Sequence, residues 1–409
     1  MEIFLQSFKN VFLLLTTIGF VIISLRSSYK GLLFYMACLI LCAFTGFERA
    51  VYYEGYLVPG VLLFKTLFAG RKKIDAIFAL LFLYVISISL VNNLNPFPLS
   101  NPIFFGIVLL AIKDNILTDE RKRLMMIVML WLYIFAKMIW YMIYSPDPFA
   151  IQVLGDRLLE VNSRLVTGSD TFRGGLDPNY FGYMMGAGSL MSLLGVLNFN
   201  KLRPYVKHSW VKYILLAVAA FELFFSLKGL SRGVFIAEVG AISLMFFLYF
   251  GRNSKYVAGV IIIFVIFVFF SGVWDLLYSR FIASNSASRY MLAKEVLSSM
   301  YEWNGALGYI TGGGTDFSWN KYSSDPFLRS FPLYSTHSSW LTLFVNYGVI
   351  GFGLFAVVLF QKLKSRISSL KASWFSRSML VLFVYFALIS MSLEPLQSFY
   401  GWLLLIAII

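Results

Sequence analysis

The stretch VKYILLAVAAFELFFSLKGLSRGVFIAEVGAISLMFFLYF, from Val211 to Phe250, decides the fold. It holds two apolar runs, 213–228 and 233–250, joined by a short polar turn from Lys228 to Arg232. Each run approaches the roughly 20 apolar residues that an α-helix needs to cross a bilayer. Two spans joined so tightly make a hairpin whose turn sits at one membrane face. Runs of the same kind recur near 11–25, 31–46, 56–69, 76–92, 102–117, 124–144 and 179–199 before it, and near 256–274, 338–360, 378–392 and 401–409 after it. The chain is therefore predicted to be an all-α polytopic membrane protein with 12 or 13 transmembrane helices, residues 1–409 forming one membrane domain.

Composition agrees. Of the 409 residues, 59% are hydrophobic and 13% charged, against roughly 25% charged in an ordinary soluble domain. Mean hydropathy is +0.77. So apolar a chain lacks the polar coat a soluble enzyme or nucleic-acid binder needs, and both are excluded. The formal charge of +14 then belongs to cytoplasmic loops before it implies an anionic partner. Cys38 and Cys42 are the only cysteines and lie one helical turn apart in an apolar run, which excludes a disulfide framework or a zinc site. No cleavable leader is expected at the start, since a basic region and cleavage site in the required order are missing.

Charge also orients the later spans. Segments 118–123, 200–212, 251–255 and 361–377 carry 14 Lys/Arg against two acidic residues. The alternating segments 145–178 and 275–337 carry 8 basic and 10 acidic residues. Positive charge retards translocation of short loops, so the first set is expected in the cytoplasm and the two long loops outside. The larger loop contains Trp303, Trp319 and several Phe and Tyr. It is expected to be an ordered external subdomain with a helix from about Arg289 to Tyr301, ended by the stretch Gly305 to Gly314.

Polar groups able to do chemistry gather at the outer face. Arg173-Gly-Gly-Leu-Asp177-Pro-Asn179 leads into the span at 179–199. Asp177 before a proline, then Asn179, suits a helix N-terminus. Arg173 does not, because a cation there opposes the helix dipole; a bound anion would reconcile them. In the hairpin turn, Lys228 can snorkel toward headgroups, whereas Arg232, flanked by glycine, suits two-point contact with phosphate. Lys137, Glu222 and Glu238 lie inside their spans, about 8–11 Å below the outer surface at 1.5 Å per residue. Such groups either form a buried Lys–Glu pair locking helices together or serve function. In the large loop, Arg280 and Arg289 flank a Ser/Asn-rich stretch, and Gly308 to Gly314 forms a turn able to approach a ligand closely. His337, in Ser335-Thr-His-Ser-Ser-Trp340, enters a span; it is either a helix-cap neighbour or a general acid/base, for which its intrinsic pKa is suited. His208, the other histidine, lies in a basic segment and reads as a solvated surface residue.

In order and spacing, these pieces resemble the bacterial O-antigen polymerase and ligase superfamily over about residues 173–355. The matching pieces are Asp177-Pro-Asn179-Tyr-Phe-Gly182, Ser231-Arg232-Gly233, Arg289 with the Gly308/Gly312 turn, and His337 leading into Asn346-Tyr-Gly348-Val-Ile-Gly351. The resemblance implies a GT-C-class integral-membrane glycosyltransferase of the bacterial inner (plasma) membrane, active on the periplasmic or extracellular face. It implies an undecaprenyl-diphosphate-linked oligosaccharide as donor and acceptor, membrane lipids and a chain-length regulator as partners, and neither cofactor nor metal. Arg232, Arg289 and Arg173 would hold the diphosphate, and His337 would serve the acceptor hydroxyl. Lys228, Asp177, Asn179, Arg280, Lys137, Glu222 and Glu238 would support them. Ligases of this kind tend to carry asparagine beside the histidine; Ser338 and Ser339 stand here, which favours polymerase over ligase. A flippase for lipid-linked oligosaccharides is the rival of another class, but it would hold its cations at mid-membrane and would not need the large loop. A secondary transporter would show paired broken helices in two related halves, and the sequence has no such symmetry.

Overall fold

Long apolar segments can satisfy every backbone polar group internally as helices, and in lipid they must. The computed structural model describes residues 2–45, 57–68, 76–93, 102–144, 178–206, 208–228, 231–251, 287–331, 335–371 and 373–409, and every regular element among them is helical. The first six helices are α1 (Glu2–Arg26), α2 (Ser28–Thr45), α3 (Leu57–Phe68), α4 (Ala76–Asn93), α5 (Pro102–Ile116) and α6 (Glu120–Tyr144). Then follow α7 (Pro178–Leu197), the short α8 (Phe199–Leu202), α9 (Val211–Lys228) and α10 (Arg232–Phe250). The last part holds α11 (Ala287–Thr311), a 3-10 turn at Trp319–Tyr322, α12 (Pro326–Arg329), α13 (Ser339–Ser368), α14 (Trp374–Ile389), a 3-10 turn at Pro395–Gln397 and α15 (Phe399–Ile408).

The expected apolar runs coincide with these helices, except 256–274, which lies outside the described residues, as does most of the loop 145–178. Length narrows the spans, however. Among the described residues, four helices are long and apolar enough to cross a membrane alone, at Glu120–Ile143, Asn179–Leu197, Arg232–Phe250 and Ser339–Ser368. Of α3, 12 residues are described, about 18 Å of helix. The remaining runs of the expected 12 or 13 are shorter helices among the described residues or extend outside them. Large apolar side chains stand exposed along α1 (Leu14, Leu15, Ile18, Ile22) and α10 (Ile236, Val239, Phe247). Such surfaces suit lipid and not water.

The chain divides into two compact units. In the second (138–290 and 365–393), α7 packs along α9, α10 packs along α14, and α7 touches both α10 and α14. Every described side chain of α7 from Phe181 to Ser192 is buried. Close packing there needs small residues: a Cβ on Gly186 would lie 2.4 Å from the Tyr385 hydroxyl, which donates to the Tyr183 carbonyl at 2.8 Å.

The first unit (1–137, 291–364 and 394–409) is organised around a break in α13. Gly348 has φ +62° and ψ −169°, interrupting the helix. The carbonyls exposed by the break are satisfied from elsewhere: Gly313 N–H donates to Val345 at 2.9 Å and Gly314 N–H to Asn346 at 2.7 Å. α4 completes the junction. Its Tyr84 hydroxyl lies 2.7 Å from the Thr311 carbonyl and 3.1 Å from that of Tyr347, and Asn92 Nδ2 donates to the Gly312 carbonyl at 3.0 Å. Ser89 Oγ bonds Thr315 Oγ1, which meets the Tyr347 hydroxyl at 2.9 Å. Only glycine fits the crossing, since a Cβ on Gly348 would lie 2.3 Å from the Ile310 carbonyl oxygen and one on Gly312 would lie 2.4 Å from Gly348 N. The glycine-rich turn expected to approach a ligand is thus buried against the α13 backbone instead.

The large loop is ordered where it is described. α11 runs past the expected end to Thr311, kinking at Asn304 and Gly305. Val296, Met300, Phe317, Trp319, Leu328 and Val345 form a small core, with Trp303 packed against it. Asp325 caps α12 by accepting from Phe327 N–H at 2.8 Å, with Pro326 in the first turn. Glu295 pins the loop, accepting from Ser323 Oγ at 2.6 Å, Ser324 N–H at 2.6 Å and Ser324 Oγ at 2.9 Å. The Ser323 hydrogen bond holds its carboxyl below the usual range; slight burial opposes this and Ser324 adds to it.

Candidate functional site

His337 stands two residues before α13, in the tight turn Ser335–Ser338. Its φ is +55°, one of two positive values among described non-glycine residues. Such a backbone costs about 1–3 kcal/mol and persists where its surroundings hold it. The two hydroxyls that precede it do so: Ser335 Oγ accepts from His337 N–H at 3.1 Å, and Thr336 Oγ1 accepts from Ser338 N–H at 3.3 Å. The turn projects the imidazole outward, and His337 is exposed while Thr336 and Ser339 are buried.

One hydroxyl away from the ring lies a carboxylate that no local pattern in the sequence pairs with it. Glu394, at the turn before α15, receives the Ser335 hydroxyl on Oε2. On Oε1 it receives Thr342 Oγ1 at 2.6 Å and has Thr336 Oγ1 at 3.0 Å. The two threonine hydroxyls are 2.7 Å apart. Leu396 N–H donates to Ser339 Oγ at 3.1 Å, tying the Glu394 turn to the start of α13. Ser335 Oγ also lies 3.4 Å from His337 Nδ1, at the long end of hydrogen-bond geometry. A serine hydroxyl therefore stands between a carboxylate and an imidazole. Glu394 had a signal of its own: it is a lone carboxylate closing an apolar run, the kind of group that singled out Glu222 and Glu238.

The second unit holds most of the other candidates. Arg232 is the first residue of α10 and half-buried; Ser231, at the N-cap, makes no side-chain cap bond. Its neighbour across the turn, Lys228, sits with Nζ 5.4 Å from the Tyr141 ring centroid, a cation–π contact that gives this lysine an aromatic seat. Asn179 is half-buried in the first turn of α7, which Pro178 opens. Glu222 and Glu238 are fully buried. Glu222 accepts from Ser192 Oγ at 2.8 Å and Glu238 from Ser226 Oγ at 2.6 Å, so serines supply these hydrogen bonds. Lys137 is buried in α6, within the first unit. Arg173, Asp177 and Arg280 lie outside the described residues; the backbone of Arg289 is in the first turn of α11, and its side chain is likewise outside them.

Chemically, the first unit offers an exposed imidazole on a rigid hydroxyl–carboxylate base, and the second offers cations beside a helix N-terminus. The first suits proton transfer and the second suits an anion such as phosphate. Comparison of the chain with protein-family models, with curated proteins and with solved structures finds no match.

Proposed function

We propose that the protein is an integral-membrane, GT-C-like glycosyltransferase that polymerises undecaprenyl-diphosphate-linked repeat units on the outer face of a bacterial inner membrane. The hydroxyl of one repeat unit attacks the anomeric carbon of the glycan on its lipid diphosphate. The new glycosidic C–O bond forms as the bond to the diphosphate breaks, and His337 takes the hydroxyl proton. Arg232, with Arg289 and Arg173, stabilises the departing diphosphate, and the apolar helix surfaces take the polyprenyl chain. Preorganised charge of this kind is usually the largest catalytic contribution.

The observation that supports this most is the setting of His337. A solvated imidazole held at positive φ by two hydroxyls is more than a helix-entry residue requires. Incubating the purified protein with lipid-diphosphate repeat units is the test. A ladder of product lengths identifies a polymerase, transfer to lipid A–core a ligase, and no product neither, leaving lipid translocation as the activity to assay. Orientation has its own test. A cysteine at Ser324, with Cys38 and Cys42 replaced by alanine, should react with an impermeant thiol reagent in whole cells or spheroplasts. Labelling that requires lysis would reverse the orientation.

A further inference from the structure

We propose that Glu394, acting through the Ser335 hydroxyl, sets the tautomer and orientation of His337 and is a positioning residue of the transfer site. This rests on His337 as the base. Ser335 has one proton to give, and the Glu394 carboxylate takes it. Its oxygen is then an acceptor, both for the His337 N–H at 3.1 Å and for the ring nitrogen Nδ1 at 3.4 Å. An acceptor facing Nδ1 selects the tautomer with its proton on Nδ1, which puts the basic lone pair on Nε2. When Nε2 takes a proton from the acceptor sugar, the imidazolium keeps its charge and is stabilised by the carboxylate through the intervening hydroxyl, and the Nδ1–hydroxyl hydrogen bond is expected to shorten in the complex. A negative group so placed favours the protonated ring.

The charged groups on the elements packed against the Glu394 turn have partners of their own. α5 and α15 pack against the Glu394 turn. α15 carries no charged residue; on α5, Lys113 pairs with Asp114, which also pairs with Lys362. On α13, Tyr347 bonds Thr315. Thr342 donates to the other carboxylate oxygen and Thr336 Oγ1 lies beside it, which orients Glu394 toward Ser335.

With only two histidines in the chain, nitrogen NMR of the ring is tractable in detergent or nanodiscs, using His208→Gln as background. His337 should show the Nδ1–H tautomer. In Glu394→Gln, whose amide oxygen still accepts from the hydroxyls, its pKa should fall by about half a unit or more. Ser335→Ala should reproduce that fall and mix the tautomers. Polymerisation by Glu394→Gln should lose kcat with little change in KM for the lipid donor, and its acid limb should move to lower pH. An unmoved His337 titration in a folded Glu394→Gln protein would overturn the link while leaving the base role intact. A fully active His337→Ala enzyme would overturn the base role, and with it the catalytic meaning of Glu394.

Discussion

Two glutamates of the same unit use one device for different ends. Glu295 and Glu394 are both half-buried, and each collects a set of hydroxyl donors. The donors around Glu295 come from Ser323, Ser324 and the Asp325 backbone, consecutive residues of one turn, so it holds that turn against α11. The donors of Glu394 come from the loop and helix around His337, and one of them also faces the ring. A carboxylate ringed by hydroxyls is thus a scaffold element by default. It becomes part of a reactive site when one donor is shared with a second titratable group.

Site-side changes should cost rate at constant stability, and scaffold-side changes should do the reverse. The largest effect is expected from His337→Ala, which should lower chain elongation by about 10²–10⁴-fold while leaving thermal unfolding unchanged. His337→Gln separates roles: near-normal elongation in glutamine alone would mean that the ring orients the acceptor without taking its proton. Next comes Arg232→Ala, for which removal of a charge-stabilising group predicts a loss of about 10²–10³-fold. Arg232→Lys should recover little, because an ammonium cannot make the planar two-point contact. Full activity of both variants would return this arginine to the scaffold.

On the scaffold side, Gly348→Ala combines a positive φ with a Cβ 2.3 Å from the Ile310 carbonyl oxygen. Strain alone predicts a destabilisation of about 1–3 kcal/mol, read as a lower midpoint in detergent unfolding with normal activity per folded molecule. The smallest effect belongs to Glu295→Gln. The Glu295 carboxyl is held below its unfolded value, mainly by Ser323. Its contribution is therefore present above the unfolded pKa of about 4.3 and fades as pH falls through the lower folded value. Wild type should be slightly the more stable at neutral pH and the two should converge in acid. A gap that widened on acidification would break the comparison.

Helix placement was legible because apolar runs are local: α9 and α10 lie within two residues of the runs read on either side of Lys228 and Arg232. The break at Gly348 was not, since apolar residues lie on both sides of it from Leu343 to Phe355 and a single left-handed glycine leaves no trace in hydropathy. His337 and the Arg232 turn were visible as polar groups at span ends. Glu394 was not linked to His337, since 57 residues separate them and only folding joins them. The glycine turn misled for a related reason. Its flexibility is a local property, but what it approaches is decided by α13.

The junction at Gly348 also bears on how the chain is made. The helix-breaking carbonyls of Val345, Asn346 and Tyr347 take their donors from Gly313, Gly314 and Tyr84, all of which precede them in the sequence. During synthesis the donors leave the ribosome first, so the interrupted helix can enter the membrane with partners already in place. Reversing that order by circular permutation, with α13 ahead of α4 and the 312–315 segment, would present unsatisfied carbonyls to lipid at several kcal/mol each. Biosynthetic direction, and not just final packing, is written into this crossing of two glycines.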